Sequence, residues 1–86
     1  MNLGLKNKKA LVWGASQGIG AAIAKSLKDE GCTVTIASRS PDKLEKTAKD
    51  ISADHFIQTD LSKKGDAANS IQIANEKMKG VDILNQ

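Results

Sequence analysis

Residues 13–20 read WGASQGIG, with glycines at 14, 18 and 20 directly after the apolar run 10–13. Glycine loses more backbone freedom on folding than any other residue, so three in seven positions signal a backbone constraint. On one side, KKALVWG (8–14) is a short apolar run bounded by Lys and Gly, the pattern of a buried central strand. On the other, GIGAAIAKSLKDEG (18–31) carries Ile19, Ala22, Ile23 and Leu27 at helical spacing and stops at Gly31, a C-terminal cap. A glycine turn between a strand and a helix is where a phosphate can approach the backbone. Gly14 lets the chain leave the strand in a tight turn, and Gly18 leaves room at the helix N-terminus for an anion. Gly20 lets the helix lie close to the strand. The alternative is a turn whose glycines serve backbone geometry alone.

Working outward, strand-like and helix-like segments alternate. CTVTIAS (32–38) is β-branched. SPDKLEKTAKDI (40–51) opens with Ser40 as N-cap and Pro41 at the first helical position, and pairs Glu45 with Lys49 one turn later. HFIQTD (55–60) reads as a third strand and VDIL (81–84) as a fourth. Between them SKKGDAANSIQIANEKMKG (62–80) starts at Ser62, ends at Gly80 and places Ala67, Ile71, Ala74 and Met78 on one stripe. The pattern β-α-β-α-β-α-β predicts an α/β fold of Rossmann type. It is a parallel sheet of strand order 3-2-1-4 with helices on both faces. Residues 1–86 form one small domain, which at this size buries only about 60–65% of its unfolded surface.

Composition narrows the function classes. The chain is 40% apolar and 27% charged, an ordinary soluble mixture. Net charge is +3, but only Lys6, Lys8 and Lys9 cluster. One Trp, one Phe and no Tyr leave few surfaces for stacking bases, which argues against nucleic acid as a partner. No segment approaches the length of a membrane span, and the start MNLGLKNKK lacks a signal peptide's apolar centre. Cys32 is alone, which excludes an internal disulfide and a cysteine-based metal site and suits the cytoplasm. It reads as a buried inert thiol, and His55 as a surface residue at a strand end.

The second strand chooses between nucleotides. An acid near its end, about 20 residues beyond the glycines, would bind a ribose 2′-hydroxyl and select NAD. Ser38 stands at that place and Arg39, the only arginine, follows it. A carboxylate there would repel a 2′-phosphate, whereas a guanidinium can hold one with paired bonds. The expected cofactor is NADP(H), with an ordinary surface charge as the other reading of Arg39.

These residues resemble the N-terminal half of a short-chain dehydrogenase/reductase, whose glycine motif reads Thr-Gly-x-x-x-Gly-Ile-Gly. Gly14, Gly18, Ile19 and Gly20 match it, with Ser16 and Gln17 in its variable middle and Trp13 where the family has threonine. Asp60-Leu61 and GVDIL (80–84) match further on. The resemblance implies a cofactor site of Gly14, Ser16, Gln17, Gly18, Ile19, Gly20, Ser38, Arg39, Asp60 and Leu61. In it Asp60 binds the adenine amino group, with the Leu61 backbone beside it. A cap for the following helix is the other reading of Asp60.

In the family a serine, a tyrosine and a lysine of the later half carry hydride transfer. This chain has no tyrosine, and VDIL runs into Asn85-Gln86 where the family reads Asn-Asn-Ala-Gly. No catalytic or metal residue is therefore assigned. The expectation is the NADP-binding portion of such an oxidoreductase, inactive alone. The alternative is a stand-alone nucleotide-binding module or a decayed pseudo-enzyme. The fourth strand would lie at an open sheet edge, which predicts self-association or pairing with a complementing C-terminal chain.

Overall fold

Strand β1 (Lys9–Trp13) alternates its side chains between two apolar layers, and the rest of the fold is arranged around it. The computed structural model describes residues 6–16 and 18–85. After β1 come α1 (Gly18–Asp29), β2 (Thr33–Ser38), α2 (Pro41–Ile51), β3 (His55–Gln58), α3 (Asp66–Met78) and β4 (Ile83–Asn85). All pairings are parallel, in the order β3-β2-β1-β4 expected from the alternating pattern.

The register explains which face each residue takes. Ala10 and Val12 lie beside Val34 and Ile36 of β2, and this face packs on Ala24 of α1 and Leu44 and Ala48 of α2. Leu11, Trp13, Ala37 and Ile57 line the opposite face, covered by Ala74 and Met78 of α3. Two helices thus cover one face and one covers the other. Cys32 is buried in the first layer; desolvation first, then the Glu30 charge, pushes its thiol above its ordinary value against the opposing pull of Lys28. That agrees with an inert thiol.

Several boundaries differ from the sequence reading, each for a local reason. Helix α3 begins at Asp66, not Ser62, because residues 60–65 form a turn of their own. Within it, Asp60 Oδ1 accepts bonds from the Ser62 N–H at 3.0 Å and hydroxyl at 2.6 Å, and Gly65 takes the N-cap position at φ 87°. Ala67 is consequently exposed, and the buried stripe runs through Ser70, Ala74 and Met78 with Ile71 beside it. The helix closes with Lys79, not Gly80, in the left-handed C-cap. Strand β3 stops at Gln58, two residues early.

Strand β4 spans Ile83–Asn85 instead of 81–84, since Asp82 joins β1 through its side chain. Its carboxylate accepts the Lys9 N–H at 2.9 Å, and the Lys9 carbonyl accepts the Asp82 N–H at 2.7 Å. In α1 the buried residue is Ala24, while Ile19 and Ala22 are exposed. Of the stripe that the spacing predicts, Leu27 packs against the core and Ile23 is half-buried, and the core-facing line shifts to Gly20, Ala24 and Leu27. Ser40 holds the α2 N-cap position, though its side chain makes no capping bond. Among the described residues β4 pairs on one side only, and Leu84 there is 53% exposed.

Asp54 joins three elements at the amino end of the sheet. Its Oδ2 accepts the Val34 N–H at 2.8 Å and the Lys28 ammonium at 3.0 Å. Burial alone would raise its carboxyl, but the Val34 and Lys28 bonds outweigh it and hold the group below its ordinary value. A depressed native value stabilises the fold above the unfolded pKa of about 3.9 and is lost as pH falls through the native value. Asp54→Asn should therefore lower stability by about 1 kcal/mol at pH 7. Urea titrations from pH 7 to pH 2 should show the gap to the parent closing in acid.

The hydroxyl of Thr35 is buried on the α3 face without a hydrogen-bond partner among the described residues. Thr35→Val keeps the shape and removes the unsatisfied group, so it should raise stability by about 1 kcal/mol. The urea midpoint reports this directly.

Candidate functional site

The three glycines play three different parts. Gly14 has φ +69° and turns the chain off β1, its N–H bonding the Ala37 carbonyl of β2 at 2.8 Å. Gly20 lies so close to that turn that a Cβ would run into the Gly14 carbonyl oxygen. Gly18 starts α1 at φ +64° and has open space where a Cβ would stand, with no atom within 4 Å. The same is true of Gly14. One glycine therefore permits helix-to-strand packing, and two leave the approach to the backbone clear. From behind, Thr47 of α2 steadies the turn by donating its hydroxyl to the Ser16 carbonyl at 2.8 Å.

The carboxyl ends of β1, β2 and β3 enclose a cleft of about 280 Å³. Gly14, Ser38, Arg39, Asp60 and Leu61, all named from the sequence, line it together. Ser16, Gly18, Ile19 and Gly20 adjoin it in the glycine turn and the first turn of α1 rather than in its wall. Gln17 and Gln86 lie outside the described residues. Ile19 is 81% exposed, an apolar side chain left in water at the rim. Ligand pockets usually span about 300–1,000 Å³, so a cleft of this size suits one half of a dinucleotide.

The electrostatics are mixed. Arg39 is exposed and its guanidinium is absent from every ion pair among the described residues. The Ser38 hydroxyl accepts the Ser40 N–H at 3.4 Å, which turns it toward its own loop. At Asp60 the Ser62 hydroxyl and N–H bonds hold the carboxyl below its ordinary value, with smaller help from the Arg39 and Lys63 charges. Asp60 caps its own turn and leaves the helix alone: the Asp60 N–H is itself accepted by Asp66 Oδ2 at 3.1 Å.

Trp13, Ala37, Thr59 and Ser62 also line the cleft and were not assigned to it from the sequence. Thr59 is buried and anchors the β3 end through its N–H to the Ser38 carbonyl at 2.8 Å. Helical spacing places Ser62 at a helix start, whereas the Asx pattern Asp60-x-Ser62 points to the turn it occupies. A larger groove of about 520 Å³ lies at the amino end of β3, around Ser52, Asp54, His55 and Phe56. Parallel sheets bind ligands beyond their carboxyl ends, so the glycine end is the candidate site.

Comparison with known proteins agrees with this geometry. A family model described as short chain dehydrogenase matches residues 8–86. An uncharacterized oxidoreductase of Staphylococcus aureus is 39% identical over 82 residues, covering 93% of this chain and 36% of the relative. One from Staphylococcus haemolyticus is 45% identical over 82 residues, covering 93% and 33%. Among solved structures, a short chain dehydrogenase of Mycobacterium smegmatis superimposes with a TM-score of 0.91 at 26% identity, over 98% of this chain and 37% of that one. A 3-ketoacyl-(acyl-carrier-protein) reductase of Brucella melitensis, complexed with NADH, gives 0.85 at 33% identity, over 93% and 34%. The chain thus spans about a third of the length of these relatives.

The two kinds of glycine should separate on substitution. Gly18→Ala adds a methyl in open space and carries only the left-handed strain, about 1–2 kcal/mol. Gly20→Ala must move the Gly14 turn itself, and should cost more. Urea unfolding of the two variants side by side gives the order.

Proposed function

The chain belongs to the short chain dehydrogenase family, and we propose that these residues form the NADP(H)-binding portion of an oxidoreductase of that kind. The observation that carries the reading is the open approach to Gly14 and Gly18 beside a cleft lined by Arg39. The start of α1 directs the positive end of its dipole toward that approach, which favours a pyrophosphate. Arg39 holds the 2′-phosphate, and Ser38, in the acid's place, leaves no charge to repel it. Asp60 and Leu61 meet the adenine, and Ser16, Gln17, Ile19 and Gly20 complete the turn around the phosphates. When bound, such a cofactor supplies or accepts the hydride exchanged with a carbonyl or alcohol in the family.

Absence of tyrosine from the sequence favours a second reading for these residues alone: binding without turnover. The acid or base that the family draws from a tyrosine is not among them. The half-exposed Leu84 on β4, whose outer side has no described partner, supports self-association or a complementing chain at that edge. A lone buried cysteine supports a cytoplasmic setting.

Removing a charge-assisted bidentate contact costs about 1.5–3 kcal/mol, or about 10- to 100-fold in affinity. Arg39→Ala should weaken NADPH by that factor and leave NADH within about 2-fold. Calorimetric titration of both nucleotides is the measurement, and equal losses would reject the NADP assignment. The purified 86-residue chain should bind NADPH yet leave it unoxidised before a panel of ketones, aldehydes and quinones. Absorbance at the nicotinamide band, followed after repurification, checks this. Steady turnover would reject the binding-only reading.

A further inference from the structure

We infer that Trp13 is the aromatic wall against which the adenine of the bound nucleotide packs, with Ser70 as the positioning residue that fixes the indole. This rests on the nucleotide reading above and adds a contact that the family's glycine motif, with threonine at this place, does not contain. Trp13 lines the 280 Å³ cleft at the end of β1, beside Ala37, Thr59 and Asp60. The residue is 9% exposed, so protein encloses most of it.

The single polar atom of the side chain is already engaged. Nε1–H donates to Ser70 Oγ at 2.8 Å, and that hydroxyl donates onward to the Ala67 carbonyl at 2.7 Å. The indole therefore has no donor left for a ligand and presents ring carbon. Ser70 is 1% exposed on α3, so the ring's orientation is set by a packed helix rather than by the loops of the cleft. Around this apolar surface the rim is polar, with Arg39, Asp60 and Ser62. A flat apolar surface bordered by a cation and a hydrogen-bonding acid matches a purine attached to phosphate-bearing ribose. A threonine in the same place would offer a hydroxyl and little area.

Trp13 is the chain's only tryptophan, so its emission reports this contact without interference. Titrating ADP-ribose and 2′,5′-ADP, which carry no nicotinamide, should quench that emission along the same isotherm that calorimetry records. Trp13→Phe keeps a ring and should bind within about 2-fold of the parent. Trp13→Leu should lose about 5-fold or more, the lower end of the base–aromatic range. Ser70→Ala should reduce the quench that saturating nucleotide produces, a ligand-dependent change that a purely structural role for the hydroxyl would not give. If a Trp13 variant fails to fold, the parent titration decides.

Heat of binding with unchanged emission, or Trp13→Leu binding as the parent does, would overturn the Trp13 assignment and leave the nucleotide reading standing. Absence of binding heat for these probes and for NADPH alike would remove the nucleotide reading and this inference with it.

Discussion

The Gly14 carbonyl and the Cα of Gly20 approach so closely that no side chain can stand between them. This contact sets the N-terminus of α1 against the end of β1. Without it the helix would start farther from the sheet, and its free N–H groups would point into solvent instead of over the strand ends. The neighbouring elements reinforce the same geometry. The Ala37 carbonyl accepts the Gly14 N–H, and Thr47 reaches across from α2 to the Ser16 carbonyl. The described residues on either side of Gln17 are thus held by β2, α1 and α2 together.

The two sheet faces are covered unequally, and the difference bears on the site. Two helices seal the face of Val12 and Ile36, whereas α3 alone covers Leu11, Trp13 and Ile57. On the thinner face the Trp13–Ser70 bond links the cleft to the helix that covers it. The unsatisfied Thr35 hydroxyl lies on that face as well. The layer covered by two helices supports the glycine turn, and the one covered by α3 alone carries Trp13, the departure from the family motif.

The places where spacing misled are instructive. Ile19 and Ala22 fit a helical stripe on paper, but Gly20 must face the strand, and that rotates the helix so that Ala24 is buried instead. Ser62 fits the start of the third helix, but Asp60 gathers the Ser62 N–H and hydroxyl into a separate turn, and Ala67 stays in the helix at an exposed position. In both cases one local contact of fixed geometry outweighed a weak periodic preference. The same turn brings Ser62 to the cleft, where helix periodicity would have placed it on a first turn.

Strand order, parallel pairing and the position of the glycine turn were all legible in the residues. They follow from alternation of β-branched and helical segments and from backbone freedom that only glycine has. The adjacency of Gly14, Ser38, Arg39, Asp60 and Leu61 could be expected on the same ground, because consecutive parallel strands carry their loops to one edge. Which neighbours complete that cleft could not. Trp13 contributes there because a serine 57 positions away fills its hydrogen bond from a packed helix. A partner so distant in sequence leaves no local pattern, and it becomes a neighbour only when the third helix lies down on the sheet.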